Sequence, residues 1–487
     1  MEKWLLGYHP GLVVKCHPEL VEGPNIFLID SKIGVYPPKP KSFSVFPLFY
    51  TTLVFGISSF VNMRIAICCI LLAGACSAAA QLPDKIYVPS IHNVKLNPTG
   101  DQTAFPVLNL NGSNQLDLNF DDLDGGVRSY SYTWQLCNAD WSKALISEFD
   151  YIKGFSQNRI NTYRNSSIAT VKYTHYMVTL PERSCIPSKS GNYLLKVFAD
   201  GDTANLLFTR RVLVVDQKVT VGAQVQQPFD GRFFKSHQKI QFNVGLGASL
   251  NTFNPMQQVK VCILQNWRWD NCIFDIRPTM IRQNTLEFNT ESDAVFPGGR
   301  EWRWLDLRSF RLLSDRVRNA STSPDGTTLI ETKPDLDRSS QRLVFYRDNN
   351  GRFYNDISES VNYLWQGDYG KVHFTFVPPA NQPMPDKQLY LFGELTSYGQ
   401  DEKARMTWNA EKGMYETELL LKNGYYDYCY VTTDRNNPRP SFDNTEGNFW
   451  ETENDYTILV YYRPIGGRTD ELIALVRTNS LTGRNGY

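Results

Sequence analysis

The sequence predicts an all-β chain built from tandem immunoglobulin-like or fibronectin-like β-sandwiches. Three observations carry this. Aromatic residues make up 13% of the chain, including 26 Tyr and 28 Phe, and aromatic side chains favour the pleated, half-buried surface of a strand. Apolar residues recur at every second position in short runs. In YSYTWQLC (130–137), Tyr130, Tyr132, Trp134 and Leu136 fall on one face, with Ser131, Thr133 and Gln135 on the other. Gly, Asn and Asp punctuate these runs, and long helical periodicity is nearly absent, the pattern of a sandwich with short strands and tight turns.

Residues 1–62 carry Pro-Pro at 37–38 and no sustained periodicity. CHPELVEG (16–23) resembles the in-frame translation of a bacterial extragenic repeat, and the segment is expected to be an overextended gene start. The rival reading is a membrane anchor over 48–72, long enough to cross a bilayer. Residues 63–80 have the parts of a secretory signal: Arg64, an apolar stretch over 65–75, and the small residues Ala78, Ala79 and Ala80 before a new terminus at Gln81. Lipid attachment at Cys76 is disfavoured, because Ala73 stands where a lipobox usually has Leu.

The first sandwich is expected over 86–216, with SGNYLLKVFADGD (190–202) and FTRRVLVV (208–215) as strand and turn signals. A second β domain with a long loop is expected over 217–377. VPPANQPMPDK (377–387) has the composition of a linker, and a C-terminal sandwich is expected over 388–476. KNGYYDYCYVTTD (422–434) repeats the pattern of 190–202, which makes Tyr193 and Tyr425 candidates for corner tyrosines that hydrogen-bond back to the backbone.

Charge excludes some partners. The chain has 50 basic and 50 acidic residues; six and four of these precede residue 81, leaving 44 against 46. That balance argues against broad electrostatic binding to nucleic acid or anionic lipid. Five of the nine cysteines follow residue 81: Cys137, Cys185, Cys262, Cys272 and Cys429. An odd count leaves at least one unpaired within the chain. Cys262 and Cys272 can face each other across a hairpin and Cys137 and Cys185 can share a domain, but spacing fixes neither pairing, and buried free thiols fit as well.

Catalytic signatures are missing. There is no Gly-x-Ser-x-Gly elbow, His-Glu-x-x-His or phosphate loop. His92, His175, His237 and His373 are dispersed, so no zinc site is expected. Neither catalytic residues nor a cofactor nor a small-molecule substrate is expected. His175 is expected to point outward or to bond locally. DDLDGG (121–126) is expected to be a tight turn between strands. Asn138, Asp140 and Trp141 either fix a turn or contribute to a partner interface. Trp267, Trp269, Trp302, Arg303 and Trp304, where Trp alternates with Arg, either pack in the core or form a partner-binding edge. Glu301, Arg303, Asp306 and Arg308 are expected to form a surface ladder of ion pairs, weak individually.

Several long strings resemble one family. LCNADW (136–141), with FDDLDG before it and YTHYMVTLP and SGNYLLKVF after it, is similar to the Bacteroidetes type IX secretion system plug proteins, formerly a domain of unknown function. The likeness continues through RRVLVVDQKV, FPGGREWRWLDLRSFR and TEGNFWETENDYTILVYYRP (445–464) and covers about 86–476. Leu136 departs from it, a His being expected before the Cys. The resemblance implies an exported, non-enzymatic periplasmic protein associated with the outer membrane. Its partner would be the outer-membrane β-barrel translocon, sealed by the plug between export events; membrane contact would come only through that partner. The segment from 389 onward also resembles the sandwich modules that bind glycogen or precede glycosidase domains. That leaves a carbohydrate-binding secreted or surface protein, with Trp408 as its stacking residue, as the alternative.

Overall fold

A computed structural model of the chain describes residues 83–483, apart from 248–249, 251, 400–401 and 436. The expected gene start, signal segment and Cys76 lie outside the described residues. Residues 80–487 form one compact unit of three β-sandwiches, as the alternating patterns predict. Among the described residues no helix is long and apolar enough to cross a membrane.

The first sandwich packs a four-stranded sheet, in the order Ile91–Pro98, Leu116–Asp122, Thr174–Leu180 and Thr162–Asn165, on a five-stranded one. The order of the second is Val107–Asn109, Leu206–Val215, Gly191–Ala199, Tyr130–Cys137 and Gln157–Ile160. Tyr130, Tyr132, Trp134 and Leu136 enter its core together with Leu116, Leu118 and Phe120 of the facing sheet. Tyr193 is a corner tyrosine: its hydroxyl donates to the Lys189 carbonyl at 2.9 Å.

The second sandwich corrects the expected boundaries. Thr220–Gln226, His237–Gly245, Thr285–Phe288 and Met280–Arg282 form one sheet. The other is Ile273–Phe274, Val259–Gln265, Asp455–Tyr462 and Glu471–Asn479. The last two strands of the chain therefore belong here, with Val259 opposite Tyr462. The reason lies in DYTILVYY (455–462), an apolar run buried on both faces. Tyr456, Ile458 and Val460 fill the second sandwich, while Leu459 and Tyr461 face the first.

The third sandwich is inserted between these strands. Gly424–Asp434 is its spine, pairing with Arg303–Asp306, Phe353–Asn355, Lys387–Phe392 and Asn437–Ser441. The facing sheet runs Val317–Thr322, Thr328–Thr332, Tyr369–Val377, Met414–Lys422 and Thr407–Asn409. The Pro-rich stretch expected to be a linker connects two strands of this one sandwich. Tyr426, not Tyr425, makes the corner bond, donating to the Lys422 carbonyl at 2.6 Å; the Tyr425 ring lies outside that core and stacks on Tyr354.

Two segments cross between the second and third sandwiches, and they bind each other. The Thr452 hydroxyl donates to the Gly299 carbonyl at 2.9 Å, the Asn454 amide to the Gly298 carbonyl at 2.8 Å, and the Gly299 N–H to Asn448 at 3.0 Å. Gly298 is required by the close approach, since a Cβ there would lie 2.0 Å from the Phe449 carbonyl oxygen. FPGG and TEGNFWETEN thus form one double crossing.

Candidate interaction surface

The CNADW loop is a turn. The Trp141 N–H donates to the Asn138 carbonyl at 2.9 Å, and the Asp140 carboxylate accepts the Ser142 N–H at 3.0 Å. Trp141 takes a positive φ of 66°. Asn138 also accepts from the Arg463 guanidinium at 2.9 Å, reaching the second sandwich.

Three of the expected interface residues meet, but at an internal joint. Trp141 sits edge-on to Trp269 with ring centroids 4.9 Å apart, and the Arg211 guanidinium lies 4.9 Å from each ring. Trp267 stacks on Phe105 at 4.0 Å. These rings pack against a cluster that joins Leu213 and Val215 of the first sandwich to Leu264, Leu459 and Leu472 of the second. Guanidinium-over-ring contacts add to ordinary apolar burial at such a joint.

The second expected patch is divided by burial. Trp302 is buried against Phe392 and Phe442. Arg303 is buried too, its guanidinium 2.9 Å from both Asp335 and Glu446. Of their two expected readings, burial fits the core one and corrects the partner-binding edge for these two residues. Trp304 is half-buried, edge-on to Tyr346 with Arg316 over its ring. The expected surface ladder is likewise replaced: Arg303 turns inward and Arg308 pairs with Asp306 and Asp356. Burial pushes the Glu446 carboxyl up, but Arg303 and Arg338 outweigh it and hold it down to about 2.

A polar network ties the first sandwich to the third. Asp121 accepts from His175 at 2.6 Å, from the Tyr369 hydroxyl at 2.6 Å and from the Lys422 ammonium at 2.7 Å, all buried. His175 is therefore an interior residue that bonds the adjacent strand and does not point outward, and DDLDGG is only partly a turn: Asp121 and Asp122 lie inside, while Gly125 and Gly126 turn the chain. Burial pushes Asp121 up, but Lys422 and His175 prevail and hold it below the usual carboxylate range. A second tie joins Lys95 to Glu394 at 2.5 Å.

Large apolar side chains are exposed elsewhere. Between Tyr130–Cys137 and Gln157–Ile160, Leu145 and Phe149 are each 85% exposed and Phe155 is 68% exposed. Their base is fixed: Tyr151 and Ile152 enter the first core, and Ile152–Gly154 pairs with Cys185–Pro187. Three large exposed apolar side chains within 11 residues of an anchored segment make it a candidate interaction surface. In sequence Leu145, Phe149 and Phe155 share a non-alternating stretch with Ile146, Tyr151 and Ile152, which turn inward, so the pattern does not separate outward from inward residues. Trp408, the expected sugar platform, is half-buried and packs on Tyr415 at 5.0 Å. Among the described residues no group of three His, Cys, Asp or Glu side chains is placed to hold a metal ion.

The family model described as "Type 9 secretion system plug protein 1st domain" matches residues 91–216, the first sandwich and the segment that carries Leu145, Phe149 and Phe155. The chain belongs to the type 9 secretion system plug protein family. This plug-family chain is also similar to a solved structure described as a hypothetical protein from Parabacteroides merdae ATCC 43184. The two are 30% identical with a TM-score of 0.78, over 82% of this chain and 99% of that one. No curated protein sequence matches. Membership ties the plug-family chain to type IX secretion and its machinery in the cell envelope.

Proposed function

We propose that this protein is a periplasmic plug that closes the outer-membrane β-barrel of the type IX system between export events. The observation that carries the reading is the family match over the first sandwich. Closing a pore asks for shape, rigidity and a releasable contact. Rigidity is supported by the buried ties of Asp121 to Lys422 and of Arg303 to Glu446, and by the paired crossings at 298–299 and 448–454. A contact that releases is served by a modest apolar anchor on a polar surface, and Leu145, Phe149 and Phe155 supply one. A stable contact with the rim needs about 1,000 Å² or more of buried area, so flanking loops of the same sandwich would complete it.

The test is affinity capture of the tagged protein from solubilised envelope, followed by mass spectrometry, with envelope permeability measured on deletion. Enrichment of one large outer-membrane barrel and a leakier envelope are expected. Capture without any such barrel would overturn the proposal.

A further inference from the structure

Five thiols are present among the described residues, and all are free. Cys137, Cys185 and Cys429 are buried in separate places: the first two in the first sandwich, the third in the third. Burial pushes each of these thiols up, which makes them poor nucleophiles. Cys262 and Cys272 differ. Cys262 lies opposite Phe274 in the hairpin of Val259–Gln265 and Ile273–Phe274. Alternation along the strand puts residues 272 and 274 on one face, and diagonal neighbours on a face are within reach of each other. The two thiols share one apolar cluster, Cys262 buried inside it and Cys272 half-buried at its edge.

We propose that Cys262 and Cys272 are a disulfide-forming pair, closed by exchange with an external disulfide. The roles follow from accessibility and acidity. The neighbouring Cys262 thiol, with Arg211 nearby, holds the Cys272 thiol down to about 7 against burial, while Cys262 is pushed well up. Cys272 therefore attacks first, as thiolate. Its Sγ bonds to one sulfur of the incoming disulfide, whose S–S bond breaks and releases a thiolate that takes a proton from solvent. Cys262 Sγ then bonds to Cys272 Sγ and gives its proton to the second departing thiolate. Two protein thiols are oxidised and one external disulfide is reduced to two thiols.

The bond would span the loop that carries Trp267, Arg268 and Trp269. Trp267 and Trp269 pack against the first sandwich, and the Arg268 guanidinium lies over Phe392 and Phe442 of the third. A covalent closure at the base of this loop would fix the residues that meet both neighbouring sandwiches. The proposal does not depend on the barrel.

The experiment exposes the reduced full-length protein to oxidised glutathione, quenches with acid, alkylates under denaturing conditions and digests with trypsin without reduction. Cleavage after Arg268 separates the two cysteines, so a disulfide holds two peptides together. The expected result is that linked pair with Cys137, Cys185 and Cys429 alkylated, and a persistent glutathione adduct at Cys272 in Cys262→Ala. Alkylation of both Cys262 and Cys272, or an unresolved adduct at Cys272 in the unsubstituted protein, would overturn the proposal.

Discussion

The Lys422 ammonium lies 2.7 Å from the Asp121 carboxylate across 301 residues of sequence, and both groups are wholly buried. This pair joins two sandwiches, so its loss leaves an uncompensated charge between them. Lys422→Met is expected to cost about 3–5 kcal/mol, measured as a lowered urea midpoint with unchanged slope. Acid should act in the same place. Asp121 titrates below its unfolded value of about 3.9, so its contribution is complete above that value and is lost as pH falls through the folded one. In Lys422→Met this acid loss should shrink, because burial then acts on Asp121 with less opposition and brings its folded value back toward the unfolded one.

Asp427 and Asp348 predict the opposite slope. Burial pushes Asp427 up to about 7, and burial with the neighbouring Asp427 charge pushes Asp348 up to about 8. Between about pH 4 and 7 the native state holds a proton on Asp427 that the unfolded chain has lost, so stability falls as pH rises. The slope is at most roughly 1.4 kcal/mol per pH unit for one such proton. Asp427→Asn is expected to flatten it. His175, lowered mainly by burial, weakens the protein below about 6.5, and the difference between wild type and variant cancels that contribution. Urea midpoints at pH 5, 6 and 7 check the prediction; equal slopes in both proteins would refute it.

Tyr426→Phe is expected to cost about 0.5–1.5 kcal/mol, the worth of a single internal hydrogen bond, because its hydroxyl alone reaches the Lys422 carbonyl. Tyr425→Phe should stay within about 0.5 kcal/mol, as for a residue outside the core. Thermal or urea unfolding of both variants separates them, and a larger loss at Tyr425 would contradict the assigned register.

That register shows how far the sequence could be read. In YSYTWQLC polar residues stand between the apolar ones, so the inward face was marked. In GYYDYCYV two adjacent tyrosines leave the phase unmarked locally, and a slip of one residue exchanges the faces. The inserted third sandwich was hidden for a different reason. Val259 and Tyr462 pair across the whole insertion, and composition reports local backbone preference, not partners; a Pro-rich connection inside a sandwich and one between sandwiches look alike. Trp302 and Arg303 stand out in the sequence, but only the position of Glu446 and Asp335 decides that the guanidinium faces inward.

The exposed anchor on the first sandwich gives the sharpest test of the proposed contact. Leu145→Asp/Phe149→Asp removes apolar area that touches no core, so the unfolding midpoint should move by less than about 0.5 kcal/mol per site. If these side chains sit at the centre of the barrel contact, each should be worth about 1–2 kcal/mol of binding, and together they would lower recovery of the barrel on the tagged protein by roughly tenfold or more. Phe253→Asp is the control, since Phe253 is equally exposed, at 88%, but lies on the second sandwich. A fall confined to the first-sandwich variant supports the anchor. Undiminished capture by a stably folded double variant would move the footprint off this segment while leaving the family assignment untouched, because that assignment rests on the match over 91–216 and not on where the partner sits.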